Sequence, residues 1–352
     1  MTHTPFANRR VLLVFPVLFM ASAAIAQATV PAYTEVKNGM PRSLAGQANM
    51  LDVTNLPAAV LTNGVVNAVP DDGIDDTPAI RAAIAYALSD RPNYNRNGSP
   101  QFVYFPTGTY RITSEIQSRI DDGTPNSWAD GWRRGMYLLG ESRTGTILKL
   151  DDNLAAYQDA ASPKAVIKTG SESDDSTNEA GGGNRAFDHS IMNMTVDTGS
   201  GNAGAIGIDY IANNTGTIED VTVRTSDALK KGAVGIEMSR NWPGPALIKN
   251  VEVDGFDCGV RVDNHYVYGM TFEHLTIKNQ RVLGIKTRNN PLHMRGLTSV
   301  NSVPVFESTG NRGALTLVDA DLSGPSSFLR CSASATTRRA CSALTDFDSV
   351  SR

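Results

Sequence analysis

Gly207-Ile208-Asp209, Gly235-Ile236-Glu237, Gly259-Val260-Arg261 and Gly284-Ile285-Lys286 are four versions of one phrase. Their glycines lie 28, 24 and 25 residues apart. Recurrence at that interval marks a repeat architecture, in which no unit buries its apolar face alone and neighbours must stack to form a core. A second, alternating stretch opens each repeat: Met194-Thr195-Val196, Val221-Thr222-Val223, Val251-Glu252-Val253 and Leu275-Thr276-Ile277. Asn193, Asp220, Asn250 and His274 occupy the turn before it in register, as parallel coils require if their turn amides are to find partners. Short strands, three to a turn and stacked in parallel, describe an all-β fold, a single-stranded right-handed parallel β-helix. The outward column Asp197, Arg224, Asp254 and Lys278 alternates in sign and reads as ion pairing between coils, each pair of modest value.

Upstream, Asp71-Asp72-Gly73-Ile74-Asp75-Asp76-Thr77-Pro78 leads into Ile80, Ile84 and Leu88, one apolar stripe at helical spacing. Thr77 is expected to cap this helix, with Pro78 as its first residue. An open β-helix end exposes strand edges and core, so the helix is expected to cover the N-terminal end. Strands are expected at Phe102–Phe105 and Thr109–Ile112, around a Pro/Gly turn, and at Met136–Leu139, Thr146–Leu150 and Ala165–Lys168. The Ser/Asp/Glu/Asn/Gly run 171–184 reads as a mobile loop.

Of the 352 residues, 1–26 read as a secretory signal peptide, with Arg9-Arg10, an apolar run and the small-x-small site Ala24-Ile25-Ala26. A secreted or periplasmic protein follows, with no membrane association after cleavage. Residues 27–70 read as irregular, 71–324 as the β-helix and 325–352 as an irregular tail. The period stops near Gly324, which fits a truncated or frame-altered chain or an N-terminal half. Net charge is −4, and no basic block of the nucleic-acid-binding kind occurs. Cys331 and Cys341 could form a disulfide in an oxidising compartment, whereas Cys258 reads as a small buried hydrophobe.

Asp75-Asp76-Thr77-Pro78-Ala79-Ile80, followed by Val103-Tyr104-Phe105-Pro106-Thr107-Gly108-Thr109-Tyr110, resembles the entry signature of the pectate-lyase-like superfamily. More narrowly it is similar to the rhamnogalacturonase/epimerase-type pectate lyase domain, which also begins laminarinase-like glycoside hydrolases of family 55 and relatives of the family 28 polygalacturonases. The resemblance covers Asp71 to Gly324. It implies the β-helix and leaves lyase, hydrolase, epimerase and phage tail functions open. The family 28 pattern of close Asp pairs and a Gly-His is not matched.

Strand alternation turns Ile208, Ile236, Val260 and Ile285 inward, and Asp209, Glu237, Arg261 and Lys286 outward. Two positions on stands Asp263. The loops that follow carry Arg240-Asn241-Trp242, Asn264-His265-Tyr266-Val267-Tyr268 and Asn289-Asn290, which in-register coils would gather on one ledge. Aromatic faces stack on sugar rings while amides and charges bond hydroxyls. The ledge therefore points to a polysaccharide or oligosaccharide partner. Arg240, Asn241, Trp242, Arg261, Asn264, His265, Tyr266 and Lys286 are the candidate substrate contacts. Three readings compete. Asp209, Glu237 and Asp263 supply a carboxylate pair for glycoside hydrolysis, which needs no cofactor. Alternatively, Asp209 and Glu237 hold Ca²⁺ while Arg261 or Lys286 abstracts the proton α to a uronate carboxyl, as a lyase would. In the third, the column is an ion-pair ladder on a non-catalytic glycan-binding β-helix.

Overall fold

The computed structural model describes residues 50–89, 102–120, 131–171, 184–264, 267–310, 313–323 and 329–331. The expected signal peptide, residues 172–183 of the acidic loop and residue Cys341 lie outside them. The entry segment comprises β1 (Met50–Asp52), α1 (Thr77–Ser89), β2 (Phe102–Phe105), β3 (Gly108–Ile112), β4 (Ile116–Gln117), β5 (Tyr137–Gly140), β6 (Thr146–Leu150) and β7 (Lys164–Lys168). The repeats follow as β8 (His189–Asp197), β9 (Ala205–Asp209), β10 (Gly216–Arg224), β11 (Val234–Glu237), β12 (Ala246–Asp254), β13 (Cys258–Val262), β14 (Met270–Lys278) and β15 (Leu283–Thr287). The last coils are β16 (Leu292–Arg295), β17 (Thr298–Val300), β18 (Phe306–Ser308), β19 (Leu315–Val318), β20 (Asp321–Ser323) and β21 (Leu329–Cys331). All these strands pair in parallel. One sheet runs β4-β7-β9-β11-β13-β15-β18-β21, and the other has β1-β2-β5-β8-β10-β12-β14-β16-β19 as its main path. The chain is a right-handed parallel β-helix with one capping helix at its N-terminal end.

Each nine-residue strand of the second sheet is bent at its centre. Asn193, Asp220, Asn250 and His274 take φ values of 57°, 56°, 49° and 53°. Asn, Asp and His tolerate this left-handed region better than most residues. The column therefore makes the corner between two arms of a strand, and pairing resumes on both sides of it: Met192 faces Glu219 and Met194 faces Val221. Asn193 Nδ2 donates to the carbonyls of Gly140 and Glu141, at 3.0 and 2.9 Å, in the preceding coil.

The glycine of the repeated phrase has a steric cause. A Cβ on Gly207 would lie 2.2 Å from Val223 Cγ1, and one on Gly235 would lie 2.3 Å from Val253 Cγ1. These glycines face the core, and so do Ile208 and Ile236 after them. Two consecutive inward positions break strict alternation. Ile206 and Val234 consequently join Ala165 in a small separate apolar cluster away from the main core.

On α1, Ile80, Ile84 and Leu88 are buried in the core with Ala83 and Ala87, as expected of the cap. The capping role expected of Thr77 is not observed. The helix includes Thr77 and starts from Asp76, whose carbonyl accepts the Ile80 N–H. Thr77 Oγ1 instead donates to Asp75 and accepts the Thr113 N–H, tying helix to sheet. Two boundaries also shift. The segment expected to be irregular contains β1, paired with β2, and buries Leu51, Val53, Leu56 and Val60. The tail expected after residue 324 contains β21, paired with β18. No helix among the described residues is long and apolar enough to cross a membrane.

Candidate functional site

The outward column forms as expected. Asp209 pairs in register with Glu237, Glu237 with Arg261, and Arg261 with Lys286. It continues at both ends, to Lys168 and Gln117 before Asp209 and to Glu307 after Lys286. The signs along it run positive, negative, negative, positive, positive, negative from Lys168 to Glu307. Ion pairing also holds in the expected column Asp197, Arg224, Asp254 and Lys278, where Arg224 Nε lies 2.8 Å from Asp197 Oδ2 and Lys278 Nζ 3.8 Å from Asp254 Oδ2.

The carboxylates are less open than their outward positions imply. Asp209 and Glu237 are 7% and 5% exposed, because arginines cover them. Arg240 Nε donates to Asp209 Oδ1 at 2.8 Å, and its Nη2 donates to the Thr169 carbonyl at 2.6 Å. This nearly buried guanidinium staples the end of β9 to the residue after β7. Arg240, expected as a substrate contact, is thus engaged with Asp209 and the Thr169 carbonyl. Arg261 clamps Glu237 Oε2 through Nε and Nη2, while Glu237 Oε1 accepts the Ser239 N–H at 3.1 Å. Burial raises the Glu237 carboxyl above its ordinary pKa, and the charge of Arg261 only partly opposes it. For Arg261, burial pulls down, but the charge and hydrogen bond of Glu237 prevail and hold the guanidinium above its usual value. Asp263 has its own cation, Lys286 Nζ at 2.8 Å from Oδ2, and its N–H donates to Ser239 Oγ.

Part of the expected ledge lies within the described residues. Trp242 and Tyr268, from successive loops, bring their ring centroids to 5.7 Å with planes tilted by 57°. Both rings are half-buried. Asn264, expected to bond substrate, is buried and donates through Nδ2 to the Ser239 and Arg240 carbonyls, both at 2.9 Å. Asn213 and Asn290 brace other loops in the same manner, to Asn184 and Tyr268. The asparagines thus satisfy loop carbonyls that would otherwise be buried without donors. Asn264→Ala should lower stability by about 1–3 kcal/mol, visible as an earlier urea midpoint. Asn241 is half-buried, with Oδ1 3.5 Å from Asn264 Nδ2. His265 and Tyr266 lie outside the described residues.

Residues missed in the sequence join the N-terminal part of the column. Lys168 Nζ stands 5.7 Å from the centroid of the Trp132 ring, a cation–π distance. Glu115 is buried, accepts a hydrogen bond from Gln117 Nε2, and has its carboxyl raised by that burial. Ile116-Gln117 and Ile167-Lys168 are apolar–polar pairs equivalent to Ile208-Asp209, and that was the available signal. At the other end, Cys258, Leu283, Arg261, Lys286 and Glu307 line a cleft of about 370 Å³. Burial pushes the Cys258 thiol up to about 12, which suits a packing residue rather than a nucleophile.

Calcium fits this donor set poorly. Arginines occupy both carboxylates proposed to hold it, and among the described residues no group of three or more His, Cys, Asp or Glu is placed to bind a metal.

Comparison with solved structures finds Geobacillus virus E2 ORF18, 15% identical over 81% of this chain and 61% of its own, with a TM-score of 0.43. The A-module of Azotobacter vinelandii mannuronan C-5 epimerase AlgE6 is 18% identical over 75% of this chain and 70% of its own, with a TM-score of 0.44. The N-terminal fragment of bacteriophage phi29 gene product 12 is 16% identical over 77% of this chain and 41% of its own, with a TM-score of 0.44. This chain therefore spans less than two thirds of the first of these proteins and of the phage fragment. No curated protein matches. The family described as rhamnogalacturonase A/epimerase, pectate lyase-like, matches residues 65–323. That span takes in the entry signature, all the Gly-Ile/Val coils and the whole charged column from Gln117 to Glu307, and the chain belongs to this pectate-lyase-like family.

Proposed function

We propose that this protein hydrolyses a polysaccharide on the outer face of β9 and β11, outside the cytoplasm. The observation that carries the reading is the register pairing of Asp209 with Glu237; the Trp242 and Tyr268 rings, on the loops that follow β11 and β13, add an aromatic surface for sugar. Adjacent strands lie about 4.8 Å apart, and carboxyl groups roughly 5 Å apart accompany hydrolysis with retention. Once Arg261 is displaced, burial favours the protonated form of Glu237, which then supplies the proton to the glycosidic oxygen. Asp209, oriented by Arg240, attacks the anomeric carbon, and water then releases the sugar. Arg261 is 31% exposed in its side chain and is the group an arriving sugar displaces from Glu237.

A specific observation favours glycan binding without catalysis as a second reading: Asp209, Glu237 and Asp263 each hold a cation. The lyase reading is weaker, because Arg261, held cationic by Glu237, makes a poor base. The full chain should be incubated with a panel of neutral and uronate-containing polysaccharides, with and without chelator. The expected result is release of reducing ends that chelator does not reduce. Chelator-sensitive absorbance from unsaturated ends would establish elimination instead. Binding lost in Trp242→Ala, with neither product, would establish a binding module.

A further inference from the structure

We propose that the pocket beside the capping helix binds the terminal sugars of the glycan chain, so that the protein works from chain ends. The inference rests on the reading of the charged column as a glycan surface. The pocket encloses about 640 Å³, within the usual size of ligand sites. Val60 and Val65 form one wall, Ala82 and Tyr86 of α1 a second, and Gln117 and Arg119 a third. Its lining is thus aliphatic and aromatic with converging amide and guanidinium groups, the mixture that suits a sugar.

Gln117 belongs to both features. It lines the pocket and is also the first rung of the column Gln117, Lys168, Asp209, Glu237. Asp209 stands two strand spacings away, roughly 10 Å. A chain laid along the column with its scissile bond at Asp209 and Glu237 therefore reaches the pocket within a few sugars. There α1 forms a wall of the pocket that Gln117 also lines. The wall is fixed, since Arg81 of α1 donates through Nε and Nη2 to the Glu115 carbonyl beside β4, at 3.0 and 2.5 Å. Ala82, Ala85 and Tyr86 line the pocket while Ile80, Ile84 and Leu88 of the same helix fill the core.

The test is calorimetric titration of the full chain, its Ala82→Trp variant, which fills the pocket, and its Tyr86→Ala variant, which removes the aromatic wall. The probes are hexasaccharides of galacturonate and of β-linked glucose. At least one should bind the parent chain and bind both variants about tenfold more weakly, at a temperature below the unfolding transition of all three proteins. Equal affinity across the three proteins, or no binding of either hexasaccharide to the parent, would overturn the proposal. The titration itself reads no turnover, so its failure is separate from that of the hydrolase reading, which Glu237→Gln tests. If the parent cleaves a polysaccharide, it should release one short product length and Tyr86→Ala a spread of lengths. A spread from the parent would also overturn the proposal.

Discussion

Gly235→Ala is expected to destabilise the fold by about 3 kcal/mol, whereas Gly269→Ala should change stability by less than about 0.5 kcal/mol. The added methyl at Gly235 would lie 2.3 Å from Val253 Cγ1 and 2.7 Å from the Gly259 carbonyl oxygen. Valine is stiff at χ1, and the carbonyl belongs to the strand ladder, so neither can step aside cheaply. Relief requires β11 to lift from β12 across the core, which disturbs the coils on both sides. At Gly269 an added Cβ would meet nothing within 4 Å, and that position controls for the general effect of replacing a glycine. Urea unfolding should show an earlier midpoint for Gly235→Ala with an unchanged slope. Equal midpoints for the two variants would show that the repeated glycine is not needed for core packing.

Removing the guanidinium at Arg261 should cost about 3 kcal/mol at pH 7, at the lower end for a broken buried pair because Arg261 is partly exposed. Arg261→Met keeps much of the apolar stem and leaves Glu237 buried beside no countercharge of its own coil pair. The pH dependence has a definite sign. Burial already raises Glu237 from its ordinary 4.5, and loss of Arg261 removes the principal opposing attraction, raising it further. A group raised in the folded state stabilises that state when protonated and loses this contribution as pH climbs through the folded pKa. The deficit of Arg261→Met should therefore be full at neutral pH and shrink as pH falls towards the unfolded value. A deficit that is constant between pH 7 and pH 4.5 would mean lost packing, not an unpaired carboxylate.

The fold was legible because the Gly-Ile/Val phrase and the alternating stretch recur at a coil-sized interval. What the pattern could not convey was why glycine stands there: the clash partner, Val223 or Val253, lies on a strand whose facing is known only after the coil closes. β1 escaped notice because Met50–Asp52 is too short to show alternation, and its partner is supplied by β2. In the site, outward direction was readable and burial was not. Asp209 points away from the core, yet Arg240, from the next coil, covers it. Arg240 and Asn264 looked like ligand groups because a charge or amide in a loop is the same letter whether it faces solvent or a neighbouring carbonyl. The recurrence of Asn213, Asn264 and Asn290 at matching places was the hint that these amides brace the coils. Lys168 and Gln117 were missed because their strands precede the clear repeat and carry no glycine phrase.

The central claim, that Asp209 and Glu237 form a carboxylate pair acting on a glycan, is tested most directly by Glu237→Gln. The variant keeps the size of the side chain and removes the proton donor. Reducing-end release from whichever polysaccharide the parent protein cleaves should fall by at least about 100-fold, with glycan affinity retained. Full release by Glu237→Gln would contradict the claim and move the chemistry away from the β9–β11 face.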